Sequence, residues 1–114
     1  MRKGVIDVIT LGCSKNLVDS ERLMRQFAYN GFLTRHEPRS VGGEIVVVNT
    51  CGFIGSAKEE SINTILSLIE AKKKRKIGKL IVMGCLSERY RDDLIRELPE
   101  VDRFYGKFDW EQII

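Results

Sequence analysis

Cysteine and histidine are scarce here, and long apolar runs are missing altogether. The 114 residues hold three cysteines and one histidine. An odd cysteine count in a short chain without a signal peptide argues against a disulfide framework and leaves free, metal-bound or catalytic thiols. No apolar stretch approaches the ~20 residues that a membrane helix requires, which excludes a membrane span. The opening Met1-Arg2-Lys3-Gly4 has the charge of a secretory leader, but Asp7 interrupts the apolar stretch after it and the apolar residues run straight into strand-like sequence, so a cytoplasmic protein is expected. Charge of one sign is also in short supply: the net charge is +3, and five of the basic residues form the single run Lys72-Lys73-Lys74-Arg75-Lys76. That run has no interleaved aromatics and closes a helical stretch, where cations suit the helix dipole; it reads as a solvated helix end rather than a nucleic-acid patch.

What is present is an ordinary folded domain. Hydrophobic residues make up 43% and charged residues 31% of the chain, and its length suits one domain able to bury a sizeable core. Short apolar runs alternate with helical periodicity. Val5 to Thr10 reads as a strand, and a turn then leads into a helix from about Leu17 to Asn30, with Asn16 as cap, Asp19 and Glu21 in the first turn, an apolar stripe of Leu23, Met24, Phe27 and Ala28, and Gly31 as terminator. Phe32 to Glu37 is a second short strand. Glu44 to Thr50 contains the continuous run Ile45-Val46-Val47-Val48, expected of a strand covered on both faces.

Ser56 and Glu59 have capping-box spacing ahead of Ile62, Ile65, Leu66 and Ile69, which predicts a helix ending near Lys76. Lys79 to Gly84 is a fourth strand; Ser87 caps a helix bearing Tyr90, Leu94 and Leu98 and stopped by Pro99; Arg103 to Gly106 is a fifth strand. Asp109 and Gln112 again have capping-box spacing just before the last residue, which suggests a domain cut from a longer protein. The alternation predicts a three-layer α/β domain, flavodoxin- or Rossmann-like, with a mainly parallel sheet in the order 2-1-3-4-5.

Cys13, Cys51 and Cys85 each stand beside a glycine just after one of the runs assigned to strands one, three and four. In the expected order those strands are adjacent, ~4.8 Å apart, and open parallel sheets bind ligands outside the carboxyl ends of their strands. Each cysteine alone suits a small buried hydrophobe. Three at equivalent strand ends, with Gly12, Gly52 and Gly84 beside them, suit a shared metal site equally well.

Zinc normally draws four ligands from close-set pairs, whereas these thiols are far apart in sequence; His36 is the only candidate for a Cys3His site and would lie on an edge strand. A four-iron cluster takes four cysteines when it only carries electrons, so three would leave one iron open. Cys85 to Arg91 has the C-x5-R spacing of cysteine phosphatases, but bulky residues and Glu88 would occupy the phosphate cradle. Gly12 to Asn16 lacks the glycine pattern of nucleotide loops. Lys15, Asn16, Asn49 and Thr50 would line the same edge, with capping and loop hydrogen bonds as their ordinary roles.

Three segments, Leu11-Gly12-Cys13-Ser14-Lys15-Asn16-Leu17-Val18-Asp19-Ser20-Glu21, Asn49-Thr50-Cys51-Gly52-Phe53-Ile54 and Gly84-Cys85-Leu86, resemble the amino-terminal domain of radical S-adenosylmethionine methylthiotransferases. The resemblance covers almost the whole chain, as one domain over 1–114. It implies that Cys13, Cys51 and Cys85 ligate an auxiliary 4Fe-4S cluster whose open iron carries the sulfur-bearing group for transfer. It also implies a longer protein with a second 4Fe-4S cluster and S-adenosylmethionine in a following barrel, bound through a C-x3-C-x2-C motif that this sequence lacks, and a terminal TRAM-type, RNA-binding-like domain. The motifs resemble the branch acting on an aspartate of ribosomal small-subunit protein twelve. The tRNA-modifying branch typically has Gly-Cys-Gln-Met-Asn at the first motif and an arginine after the second cysteine, and neither is present. Ser14 stands where the family often has proline, and Gly42-Gly43-Glu44 replaces its usual entry to strand three. Alone, this domain is expected to bind a cluster and catalyse nothing. The competing expectation is an α/β interaction module holding zinc or an anion.

Overall fold

A computed structural model describes residues 2–11, 14–39, 41–50, 55–84 and 92–105. Its elements are β1 (Arg2–Thr10), α1 (Ser14–Tyr29), β2 (Leu33–His36), β3 (Gly43–Thr50), α2 (Gly55–Lys73), β4 (Lys79–Gly84), a helix at 92–97 here labelled α3, and β5 (Arg103–Tyr105). All strand pairings are parallel and the order is β2-β1-β3-β4-β5, as the alternation of runs predicts.

Two apolar layers flank the sheet. On one face Leu23 and Phe27 of α1 pack with Ile6, Val8, Val47, Ile81 and Met83. On the other, Ile65, Leu68 and Ile69 of α2 and Leu94 of α3 pack with Val46, Val48, Leu80, Val82 and Phe104. Alternate residues of β3 thus feed opposite layers, which is why its valines form an unbroken run. No helix among the described residues is long and apolar enough to cross a membrane.

Helix ends differ from the sequence expectation. α1 begins at Ser14, so Asn16 lies inside the helix and Asp19 and Glu21 lie beyond its first turn. Ala28 is exposed, because α1 closes just after it. The Gly31 amide donates to the Ala28 carbonyl and the Phe32 amide to that of Phe27, and the rings of Phe27 and Phe32 meet edge-on at 5.6 Å, the apolar contact that accompanies this closure. α2 begins at Gly55, so Ser56 lies inside it, and it ends at Lys73, earlier than the basic run suggests. There Lys76 donates to the Ala71 carbonyl while Arg75 takes a left-handed φ of 60°. Leu66 faces solvent and Leu68 takes its place in the core. The expected helix cap at Ser87, Tyr90, and the capping box at Asp109 lie outside the described residues.

Two carboxylates, one buried and one partly covered, fasten loops to the sheet. Asp7 is fully buried, receives Arg35 Nε at 2.6 Å and Nη2 at 2.9 Å, and accepts the Gly42 and Gly43 amides at 2.9 Å each. A Cβ at Gly43 would stand 2.7 Å from the Val5 carbonyl oxygen, so the loop reaches the carboxylate only with glycine there. Burial alone would raise the Asp7 carboxyl; the Arg35 hydrogen bonds and the two amides outweigh it and hold the group below the ordinary carboxylate range. Asp102 accepts the Leu80 amide and Lys72 Nζ at 2.8 Å each, joining α2 to the β4–β5 connection. Its burial is likewise outweighed by Lys72 and the amide, and its carboxyl is also held low. Part of the basic run therefore has a structural task.

Candidate functional site

The carboxyl ends of β1, β3 and β4 stand level. Thr10 pairs with Asn49, Thr50 pairs with Gly84, and the Leu11 amide extends the ladder by donating to the Asn49 carbonyl at 2.8 Å. Cys51 is bonded directly to Thr50, Cys85 directly to Gly84, and Cys13 follows Thr10 by three residues. The cysteines themselves, with Gly12 and Gly52, lie outside the described residues, as do the side chains of Lys15 and Asn16. What can be described is the edge from which the three cysteine segments leave.

Gly84 sets how closely β3 and β4 approach at that edge. Its φ is +101°, and a Cβ there would lie 2.5 Å from the Thr50 carbonyl oxygen, 2.7 Å from Asn49 Oδ1 and 2.8 Å from the Thr50 nitrogen. Only glycine accommodates both the dihedral and the contact. Thr50 is fully buried, and its hydroxyl donates to the Met83 carbonyl at 2.7 Å, a second tie between the same two strands.

On the other side of Asn49 a polar cluster joins four elements. Asn49 Nδ2 donates to Ser20 Oγ of α1 at 3.1 Å, Thr10 Oγ1 donates to the same oxygen at 2.6 Å, and His36 Nε2 lies 2.8 Å from Thr10 Oγ1. The neighbouring Glu37 accepts the Thr10 amide at 2.6 Å while holding a left-handed φ of 51°. That dihedral is uncommon for a side chain with a Cβ and is stabilised here by the carboxylate bond and by the Glu37 amide donating to the Val8 carbonyl at 2.9 Å.

His36 does stand on the edge strand, and its ring is partly covered and bonded to Thr10. Asn49 and Thr50 are the last two residues of β3 and make the hydrogen bonds just described. Thr10 and Glu37 carry no motif, and Ser20 lies within the first family-like segment without being legible there as a site residue. The one available signal is Ser20, which falls on the helical stripe of Leu23, Met24 and Phe27; a hydroxyl on an apolar stripe calls for a buried partner.

Comparison with known proteins adds an independent line. Residues 5–106 match the model of a family described as "Uncharacterized protein family UPF0004". The chain is 70% identical over its full 114 residues to the ribosomal protein uS12 methylthiotransferase RimO of Porphyromonas gingivalis, 69% to that of Parabacteroides distasonis and 60% to that of Phocaeicola vulgatus. It spans 26% of the length of each of these relatives.

Proposed function

From the premise that the chain belongs to the UPF0004 family, we propose that it is the cluster-holding domain of a ribosomal protein uS12 methylthiotransferase, with Cys13, Cys51 and Cys85 as ligands of an auxiliary 4Fe-4S cluster. The observation that carries this reading is the level edge: the three segments bearing the only cysteines leave adjacent strands β1, β3 and β4 at paired positions. Dispersed thiols acquire a common location only through such a register.

The donor chemistry supports this reading, since soft thiolates are the donors iron–sulfur clusters use, and Gly84 lets β4 lie close to β3 at the residue before Cys85. When bound, a cluster with three protein ligands supplies one iron with an open position for a sulfur-bearing ligand. The described residues contribute placement: β1, β3 and β4 end at one level just before the three cysteines in sequence, Thr50 and Gly84 fix the β3–β4 spacing, and Lys15 and Asn16 belong to the helix that opens beside the edge.

In the longer protein this domain would work with a second 4Fe-4S cluster and S-adenosylmethionine, both held outside these residues, upon an aspartate of the ribosomal protein in the cytoplasm. The fragment by itself would bind the cluster without turnover.

Anaerobic incubation of the chain with ferrous iron and sulfide tests the reading. About four irons and four sulfides should bind per chain, and Cys13→Ala, Cys51→Ala and Cys85→Ala should each lower that loading. Unchanged loading in all three variants, or uptake of zinc but never iron, would sink it.

A further inference from the structure

We propose that His36, Thr10, Ser20 and Asn49 form a positioning chain that fixes the cysteine-bearing edge, a role that rests on the cluster reading above. The chain runs across the sheet from the outer strand inward. His36 of β2 meets Thr10 of β1 at 2.8 Å, Thr10 meets Ser20 of α1 at 2.6 Å, Asn49 of β3 meets the same Ser20 oxygen at 3.1 Å, and Asn49 Oδ1 lies against Gly84 of β4. None of these is a ladder bond. The three hydrogen bonds tie together β2, β1, β3 and α1, and β4 is reached only through the close approach of Asn49 Oδ1 to Gly84.

Ser20 Oγ is the node of the arrangement: it bonds Thr10 Oγ1 of β1 and accepts from Asn49 Nδ2 of β3, while Thr10 Oγ1 also meets His36 Nε2. Ser20 and Asn49 are essentially without solvent exposure, where polar groups are tolerated only if bonded. Glu37, in its left-handed conformation, grips the Thr10 amide from the same side as His36, so two consecutive residues hold one threonine.

The placement of this chain gives it its role. Thr10 leads into the segment of Cys13, Asn49 lies two residues before Cys51, and Asn49 Oδ1 abuts the glycine that precedes Cys85. One node therefore governs the relative position of all three departures. Groups that orient metal ligands without touching the metal affect its retention by about 10- to 100-fold.

The test compares iron release from the anaerobically reconstituted chain to a ferrous chelator, together with the spectrum of the reduced cluster. Ser20→Ala should release iron roughly tenfold faster or more. His36→Ala, on the edge strand, should show a smaller acceleration in the same direction. His36→Gln, whose side-chain amide can donate to or accept from Thr10, should restore retention. Adding His36→Ala to Ser20→Ala should change nothing further, because the node is already gone although the two residues share no bond.

The inference is overturned if Ser20→Ala retains iron as the unaltered chain does, if His36→Gln behaves like His36→Ala, or if the double variant is simply additive. It is also overturned if release in every variant follows the melting temperature of the metal-free chain alone. An unaltered chain that takes up no iron overturns the cluster reading itself and this inference with it.

Discussion

Replacing Gly84 by alanine should be the most costly single methyl addition in the described sheet, and the reason can be separated into two parts. The φ of +101° disfavours any Cβ, a cost of about 1 kcal/mol. The methyl would also stand 2.5 Å from a carbonyl oxygen and 2.8 Å from an amide nitrogen of Thr50, both backbone atoms of a fully buried residue. Such atoms cannot swing aside as a side-chain tip would, so β3 and β4 must separate, and overpacking of this kind adds about 1–3 kcal/mol. Gly31 is the control: its φ is +90°, but a Cβ there meets nothing within 4 Å. Gly31→Ala should therefore lose about 1 kcal/mol and Gly84→Ala about 3 kcal/mol, measured by urea unfolding with matched m-values. The same pair separates function, since iron loading should fall in Gly84→Ala and persist in Gly31→Ala. Equal destabilisation of the two variants would refute the claim that β3 and β4 are held apart by less than a methyl group.

The buried Asp7 gives the acid response a definite sign. Its carboxyl is held below its unfolded value, so the stability it contributes is present above the unfolded carboxylate pKa of about 3.9 and is lost as pH falls through the lower folded value. Asp7→Asn should flatten the loss of stability in that acid window, read from melting temperature against pH, and a slope identical to that of the unaltered chain would contradict it. Arg35→Ala leaves the buried carboxylate without its main partner and should cost about 3 kcal/mol, more than Asp7→Asn, whose arginine is partly exposed and can turn to water. At the other loop, Asp102→Ala should destabilise more than Lys72→Ala in denaturant titrations, because Asp102 also accepts the buried Leu80 amide whereas the partly exposed ion pair alone is worth about 1 kcal/mol or less.

Sequence pattern carried the sheet further than it carried the helix ends. The valine run of β3 and the limits of β4 are visible because burial on both faces leaves one kind of residue to use. α1 and α2 begin earlier than Asn16 and Ser56 suggest, since a capping residue type is compatible with several starts and tertiary packing chooses among them. Asp7 is read from sequence only as an interruption in an apolar stretch; its partners Arg35, Gly42 and Gly43 are 28 to 36 residues away, and nothing local marks them. Thr10 is likewise unmarked, and Ser20 is marked locally only by its place on the apolar stripe of α1. The cysteines were legible as a set because they repeat one local context three times. A hydrogen-bond chain made of four different residue types has no such repetition.

That difference bears on how such a site could be built. Ligands set close together in sequence, as in zinc-binding pairs, are near one another even in an unfolded chain. Cysteines at positions 13, 51 and 85 are not, so any common site for them exists only once β1, β3 and β4 are in register. Cluster binding would then be linked to folding: it would stabilise the folded chain by mass action, and equally its affinity would be reduced by whatever loosens the edge. The apolar layers set the strands side by side and reach the rim at Leu11 and Met83. There Thr50, the missing Cβ at Gly84 and the chain through Ser20 add contacts specific to the rim. Substitutions at these three places should therefore lower iron retention by more than their effect on metal-free stability accounts for, whereas Leu23→Ala, deep under α1, should lower stability by about 2–5 kcal/mol and change retention only in proportion.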